Sequence, residues 1–156
     1  MPLCLSVGLA AAASTVLAAN AFTLAWMHSI EKTRWEEDWR VEGQQLRVVA
    51  ARITGSGAGM EPPPDAILRD GVWHYRPKLP ALPRVLLAHS PYAGSYQLCV
   101  AGDCRPIADH LPGLPREATL VLSACGDGSA GAEAAALAVA APTRSEEHPA
   151  ATGGGG

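Results

Sequence analysis

Residues 22–59 read FTLAWMHSIEKTRWEEDWRVEGQQLRVVAARITGSGAG, and the period of this stretch decides the fold. Phe22, Leu24, Trp26 and His28 alternate with Thr23, Ala25, Met27 and Ser29, the period of two expected of a strand. Trp35, Glu37, Trp39 and Val41 alternate with Glu36, Asp38 and Arg40, which predicts a second strand with one wet face. With Ser29 to Arg34 as the connecting loop, the expected pairs are Phe22/Val41, Leu24/Trp39, Trp26/Glu37 and His28/Trp35. Both apolar sets then share one face of the sheet. A two-residue turn at Gly43-Gln44 adds a third strand, with Leu46 opposite Val41, Val48 opposite Trp39 and Ala50 opposite Glu37. Glu37 is the anomaly of this meander, because it lies among Trp26, Trp35, Trp39 and Ala50 on the face expected to be buried. A buried carboxylate requires a cation, a cluster of donors or a raised pKa. Lys32, Arg34 and His28 are the candidate partners.

Outward from the meander, turn signals recur at short intervals. The 13 prolines and 16 glycines break up any long helix, and short apolar runs between them favour an all-β chain, a small antiparallel β-sandwich or open barrel. Ile67-Leu68 and Val72 to Tyr75 flank Arg69-Asp70-Gly71, a hairpin turn, with Trp73 and Tyr75 on one face and His74 on the other. Pro77 to Pro83 is an extended connector that delivers a strand from Val85 to His89. Ser90-Pro91-Tyr92 follows at a turn, Asp109 and His110 read as turn residues, and Ala118 to Leu122 makes the last strand before Cys125. Residues 1–125 form one domain, of a size that buries its own core. Residues 126–156 are of low complexity and end in four glycines. They read as a disordered tail with a helical turn or two around Ala132 to Ala141.

The first 30 residues carry no charged side chain. A secretory signal ending at Ala19-Asn20-Ala21 lacks its basic start, so two short strands, Leu3 to Val7 and Ser14 to Ala18, are the preferred reading over a signal or a membrane anchor. Four cysteines sharpen this. A hairpin turning at Ala101-Gly102 sets Cys99 opposite Cys104, a spacing compatible with a disulfide. Cys4 and Cys125 are then left to each other. In the chain-entropy picture the long bridge is worth about 5 kcal/mol and the short one about 2 kcal/mol. A second cysteine pair at zinc-ligand spacing is lacking, so no metal is expected, nor any other cofactor. Paired cysteines favour an oxidising compartment, and a start lying downstream of an export signal would reconcile them with this N-terminus.

The net charge is −3 with a pI near 5.9. Without a basic cluster, nucleic acid is not an expected partner. Gly55-Ser56-Gly57-Ala58-Gly59 offers backbone amides that can converge on an anion, yet it is no P-loop, because Gly-Lys-Ser/Thr is missing. No nucleophile–base motif appears either.

Four blocks carry a resemblance: His28 to Glu37, Gly55 to Pro63, Trp73 to Pro77 and His89 to Tyr92, together with the spaced cysteine pairs. Over about residues 3–125 the chain resembles DUF1850, a family of small bacterial domains of unknown function encoded beside tripartite ATP-independent periplasmic (TRAP) transporters of the TAXI type. The resemblance implies an accessory protein at the cell envelope, in the periplasm. Its expected role is a non-enzymatic binding or interaction module whose partner is the TRAP permease, the solute-binding protein or a small carboxylate. His28, Glu31, Glu37, His74, Arg76, His89 and Tyr92 lie in or next to these blocks and are the candidate ligand- or partner-binding residues. The alternative is a small metal- or anion-binding enzyme that uses the His/Glu cluster, which requires His28, Glu37 and His74 in one cleft.

Overall fold

The computed structural model describes residues 2–9, 14–27, 32–55, 62–92 and 95–125, together with a two-residue strand at Ala138–Val139. The smaller sheet comprises β1 (Leu3–Val7), β2 (Ser14–Leu17), β8 (Arg84–His89), β11 (Ala118–Ala124) and β12 (Ala138–Val139). The larger comprises β3 (Ala21–Met27), β4 (Arg34–Glu42), β5 (Gln45–Thr54), β6 (Ile67–Arg69), β7 (Val72–Tyr75), β9 (Gln97–Val100) and β10 (Asp103–Pro106). Strand order is β12-β8-β11-β1-β2 in the first sheet and β10-β9-β3-β4-β5-β7-β6 in the second. All pairings are antiparallel except that of β12 with β8. The two sheets form an open sandwich and not a closed barrel.

Each sheet gives one apolar face to the space between them. Leu3, Leu5, Val85, Leu87, Leu120 and Leu122 from the smaller sheet meet Phe22, Leu24, Trp26, Trp39, Leu46, Val48 and Leu98 from the larger. A fully buried side chain of this size contributes about 1.5–3 kcal/mol relative to exposure, so this layer is the main source of stability. A backbone bridge also joins the sheets, and each sheet carries one disulfide of its own. Leu46 on β5 and Leu82, just before β8, exchange backbone hydrogen bonds of 2.7 and 2.8 Å. Cys4 on β1 is bonded to Cys125, immediately after β11, and Cys99 is bonded to Cys104 across the β9–β10 hairpin. No cysteine is free.

Turn chemistry fixes the hairpins. Asp70-Gly71 and Ala101-Gly102 each place both residues at positive φ, the backbone twist that two-residue hairpin loops require. At Gly55 the constraint is space as well as φ, because a Cβ there would come within 2.9 Å of the Thr33 methyl.

Three expectations are corrected. The β3–β4 register is slipped by two residues, to Phe22↔Trp39, Leu24↔Glu37 and Trp26↔Trp35. The slip is even, so every side chain keeps its predicted face. It is favoured by cross-strand stacking of Phe22 on Trp39 and of Trp26 on Trp35, at centroid distances of 6.3 and 6.1 Å. The β4–β5 register follows prediction at Val41↔Leu46 and Trp39↔Val48, then shifts at a bulge, so that Ala51 and not Ala50 stands opposite Glu37. The cause is two apolar pairs out of phase by one residue: Leu46 and Val48, then Ala51 and Ile53, are all buried, and only an extra residue at Val49 lets both pairs face the core. Finally, Ala138–Val139 lie in a strand and not in a helical turn, paired with Val85 and Leu86. The other residues of the 126–156 tail lie outside the described residues.

Candidate functional site

Strand β4 places three consecutive carboxylates in two environments. Glu37 points into the sandwich, in a row that runs Leu98, Leu24, Glu37, Ala51, Tyr75 across five strands. It is 7% exposed, as the strand pattern predicts. Trp39 Nε1 donates to Glu37 Oε2 at 3.2 Å, which supplies one of the donors that a buried carboxylate needs. Its charge reaches two phenols. Burial, helped by Glu37, pushes Tyr75 up to about 12, and the same two causes raise Tyr96. Next to this row Trp35 Nε1 donates to Thr33 Oγ1 at 3.3 Å. Trp26, packed against Tyr96 at 5.7 Å, buries its indole N–H without an acceptor among the described residues.

Glu36 and Asp38 point the other way. The bulge at Val49 turns Arg52 onto their face, which unbroken alternation from Leu46 would have denied it. Arg52 Nε donates to Glu36 Oε2 at 3.0 Å, and its two terminal nitrogens donate to Asp38 at 2.6 and 2.8 Å. Arg34 Nε donates to Glu36 Oε1 at 2.7 Å and Arg34 Nη1 to Gln97 Oε1 at 3.2 Å. The Thr23 hydroxyl donates to Asp38 Oδ1 at 2.6 Å. These bonds form a grid in which each guanidinium touches two acceptor groups and each carboxylate two donor groups. Burial alone would raise the Glu36 carboxyl, but the hydrogen bonds from Arg34 and Arg52 outweigh it and hold it below the ordinary value. At Asp38 the Arg52 hydrogen bond is the largest cause and overcomes burial, again lowering the carboxyl. Arg52 is correspondingly raised, chiefly by Asp38.

The grid forms one side of a groove of about 490 Å³ on the outer face of the large sheet, with Arg40, Val49 and the Cys99–Cys104 hairpin on its other sides. A row Gln97, Ala25, Glu36, Arg52, His74, Ile67 leads from it to a second depression of about 410 Å³, lined by Ala50, Asp65, Ile67, Arg69, His74 and Arg76.

The candidate residues from sequence therefore separate. His74 and Arg76 come together at the second depression, whereas the register puts Glu37 on the opposite face of the sheet from His74. His89 ends β8 in the smaller sheet, opposite Ala118, and Tyr92 is 84% exposed. His28, Glu31 and the glycine loop beyond Gly55 lie outside the described residues. Of the expected partners of Glu37, Arg34 is engaged with Glu36 and Gln97 on the outer face, and Lys32 is exposed. Among the described residues no group of three or more His, Cys, Asp or Glu side chains is placed to hold a metal ion. Sequence reasoning missed Arg52 and treated Glu36, Asp38 and Arg40 as a solvated face. The signal available was the doublet Val48-Val49 followed by Ala50-Ala51, which breaks strict alternation and marks the bulge.

The family model described as a domain of unknown function, DUF1850, matches residues 22–107, from β3 to the start of the short 3-10 turn at Ile107–His110. The chain belongs to this family. The match takes in the whole large sheet and the Cys99–Cys104 bridge, and leaves β1, β2, β11 and the Cys4–Cys125 bridge outside it. No curated protein and no solved structure matches the chain.

Proposed function

We propose that this DUF1850 domain is a non-enzymatic binding module of the cell envelope, acting beside a TAXI-type TRAP transport system through its permease or solute-binding protein. The observation that carries the reading is the outer face of the large sheet. It is the face left over when the other is buried in the sandwich, yet four of its charged side chains are tied together in the Arg34–Glu36–Arg52–Asp38 grid. Ordering four long charged side chains costs conformational entropy, and half-exposed ion pairs return little stability for it. A preorganised polar surface around a groove is suited to recognition, where fixed donors lower the cost of binding. Both disulfides fit an oxidising compartment, and no helix among the described residues is long and apolar enough to cross a membrane.

The test is capture of the tagged, oxidised protein from its own membranes after crosslinking, with the recovered proteins identified. Recovery of a TRAP permease or solute-binding protein, lost on Arg52→Glu in a variant that still unfolds cooperatively, is the expected result. Recovery of neither by the native protein rejects the association.

A further inference from the structure

We propose that the groove on the outer face of the large sheet binds a small organic monocarboxylate, with Arg40 holding the carboxylate and Val49 and the Cys99–Cys104 hairpin carrying its apolar body. This rests on the reading of the domain as a binding module and names the ligand class of that surface.

Arg40 is the reason. Of the three arginines lining the groove, Arg34 and Arg52 are committed to Glu36, Asp38 and Gln97. Arg40 makes no hydrogen bond or ion pair among the described residues, and its side chain is exposed. Its cross-strand partner is Arg47, on the same face, and like charges directly opposite each other on a sheet are destabilising. Arg47 is balanced by Glu42, to which its Nε donates at 2.8 Å. Arg40 keeps an unbalanced charge at the edge of a groove of about 490 Å³, a volume typical of small-molecule sites.

The lining then selects the class of anion. Arg34, Arg40 and Arg52 stand against Glu36 and Asp38, which leaves the equivalent of one positive charge to be matched. A planar carboxylate fits a single free guanidinium through two parallel hydrogen bonds. A phosphate dianion would bring its second charge up against two ionised carboxylates. The remaining walls are apolar or backbone: Ala21, Val49, the disulfide and the Ala101-Gly102 turn. They suit a short hydrocarbon body. Val49 lies on this face by alternation from Leu46, and the bulge there turns Arg52 onto the same face, so the apolar and charged walls meet in one groove.

The experiment is a ¹H–¹⁵N NMR titration of the oxidised full chain with sodium propionate and, separately, with sodium phosphate, at ionic strength held constant with sodium chloride. Saturable shifts with propionate, centred on the amides of Arg40, Val49, Ala101 and Gly102, are expected. Arg40→Gln should weaken the binding about tenfold or more, the size expected for a lost charged hydrogen bond. Arg69→Gln, in the second depression, should leave it unchanged. Shifts that do not saturate, an unchanged response in Arg40→Gln, or tighter binding of phosphate than of propionate would each overturn the proposal. A protein that ignores propionate yet still captures a TRAP component overturns the ligand assignment and leaves the binding-module reading standing. Arg40→Lys guards against a folding artefact. It keeps the charge without the fork, and should bind propionate with an affinity between those of the native protein and Arg40→Gln.

Discussion

Glu37 and its neighbours Glu36 and Asp38 share a strand and a charge but occupy opposite faces of the same sheet. On the inner face Glu37 takes an indole N–H from Trp39, and burial, helped by Glu37, raises Tyr75 and Tyr96. On the outer face Glu36 and Asp38 take guanidinium donors and are lowered by them. Adjacent residues thus differ because a strand sends alternate side chains into different surroundings, one dry and aromatic, the other partly wet and cationic. A carboxylate's behaviour in this protein is set by its face and not by its sequence neighbours.

The largest effect should come from Trp39→Ala, which removes the stack on Phe22 and the Glu37 donor together, with about 3–5 kcal/mol lost in urea unfolding. A loss no greater than that of an ordinary surface substitution would mean that the inner face is not packed as described. Next comes Glu37→Leu, which leaves the Trp39 N–H buried without its acceptor and should cost about 1–3 kcal/mol. Glu37→Gln keeps an acceptor oxygen and should cost clearly less. Equal costs for the two would show that the charge of Glu37, and not its hydrogen bond, matters to the fold.

On the outer face, Arg52→Met should cost at most about 1 kcal/mol, because partly exposed pairs are screened, and its clearer signature is pH dependence. Glu36 and Asp38 lie below their ordinary values of 4.5 and 3.8, so the folded chain binds fewer protons there than the unfolded one. Stability from these groups is therefore present above pH 4.5 and lost as pH falls through the folded values. Thermal melts across this range should show a shallower acid slope in Arg52→Met, and an unchanged slope would break the assignment of the grid.

The smallest effect lies at the alkaline end of the inner face. Tyr75 is raised from 10.0 to about 12, so its contribution is full below pH 10 and falls as pH rises toward the folded value. Tyr75→Phe should flatten part of that decline, leaving the share of Tyr96, when stability is followed by near-ultraviolet circular dichroism.

Much of the fold was legible because strand period, turn chemistry and cysteine spacing are local. The two N-terminal strands, the Asp70-Gly71 and Ala101-Gly102 turns, and both cysteine pairs lie where the sequence places them, give or take a residue at the strand ends. Glu37 was legible as buried for the same reason: its neighbours two residues away are tryptophans. The outer site was not. Its assembly depends on a bulge that changes the phase of β5 halfway along, and on which strands become neighbours, so that residues as far apart as Arg34 and Gln97 meet.

Alternation and turn residues by themselves determined that this chain folds as an antiparallel β-sandwich with a carboxylate under its tryptophans, since those signals act within a few residues. Only the tertiary structure decided the strand register, the facing of Arg52 and the lack of a partner for Arg40 among the described residues. Each of these depends on how distant side chains stack and pair across strands, and an even slip or a single extra residue alters those contacts while leaving the local pattern intact.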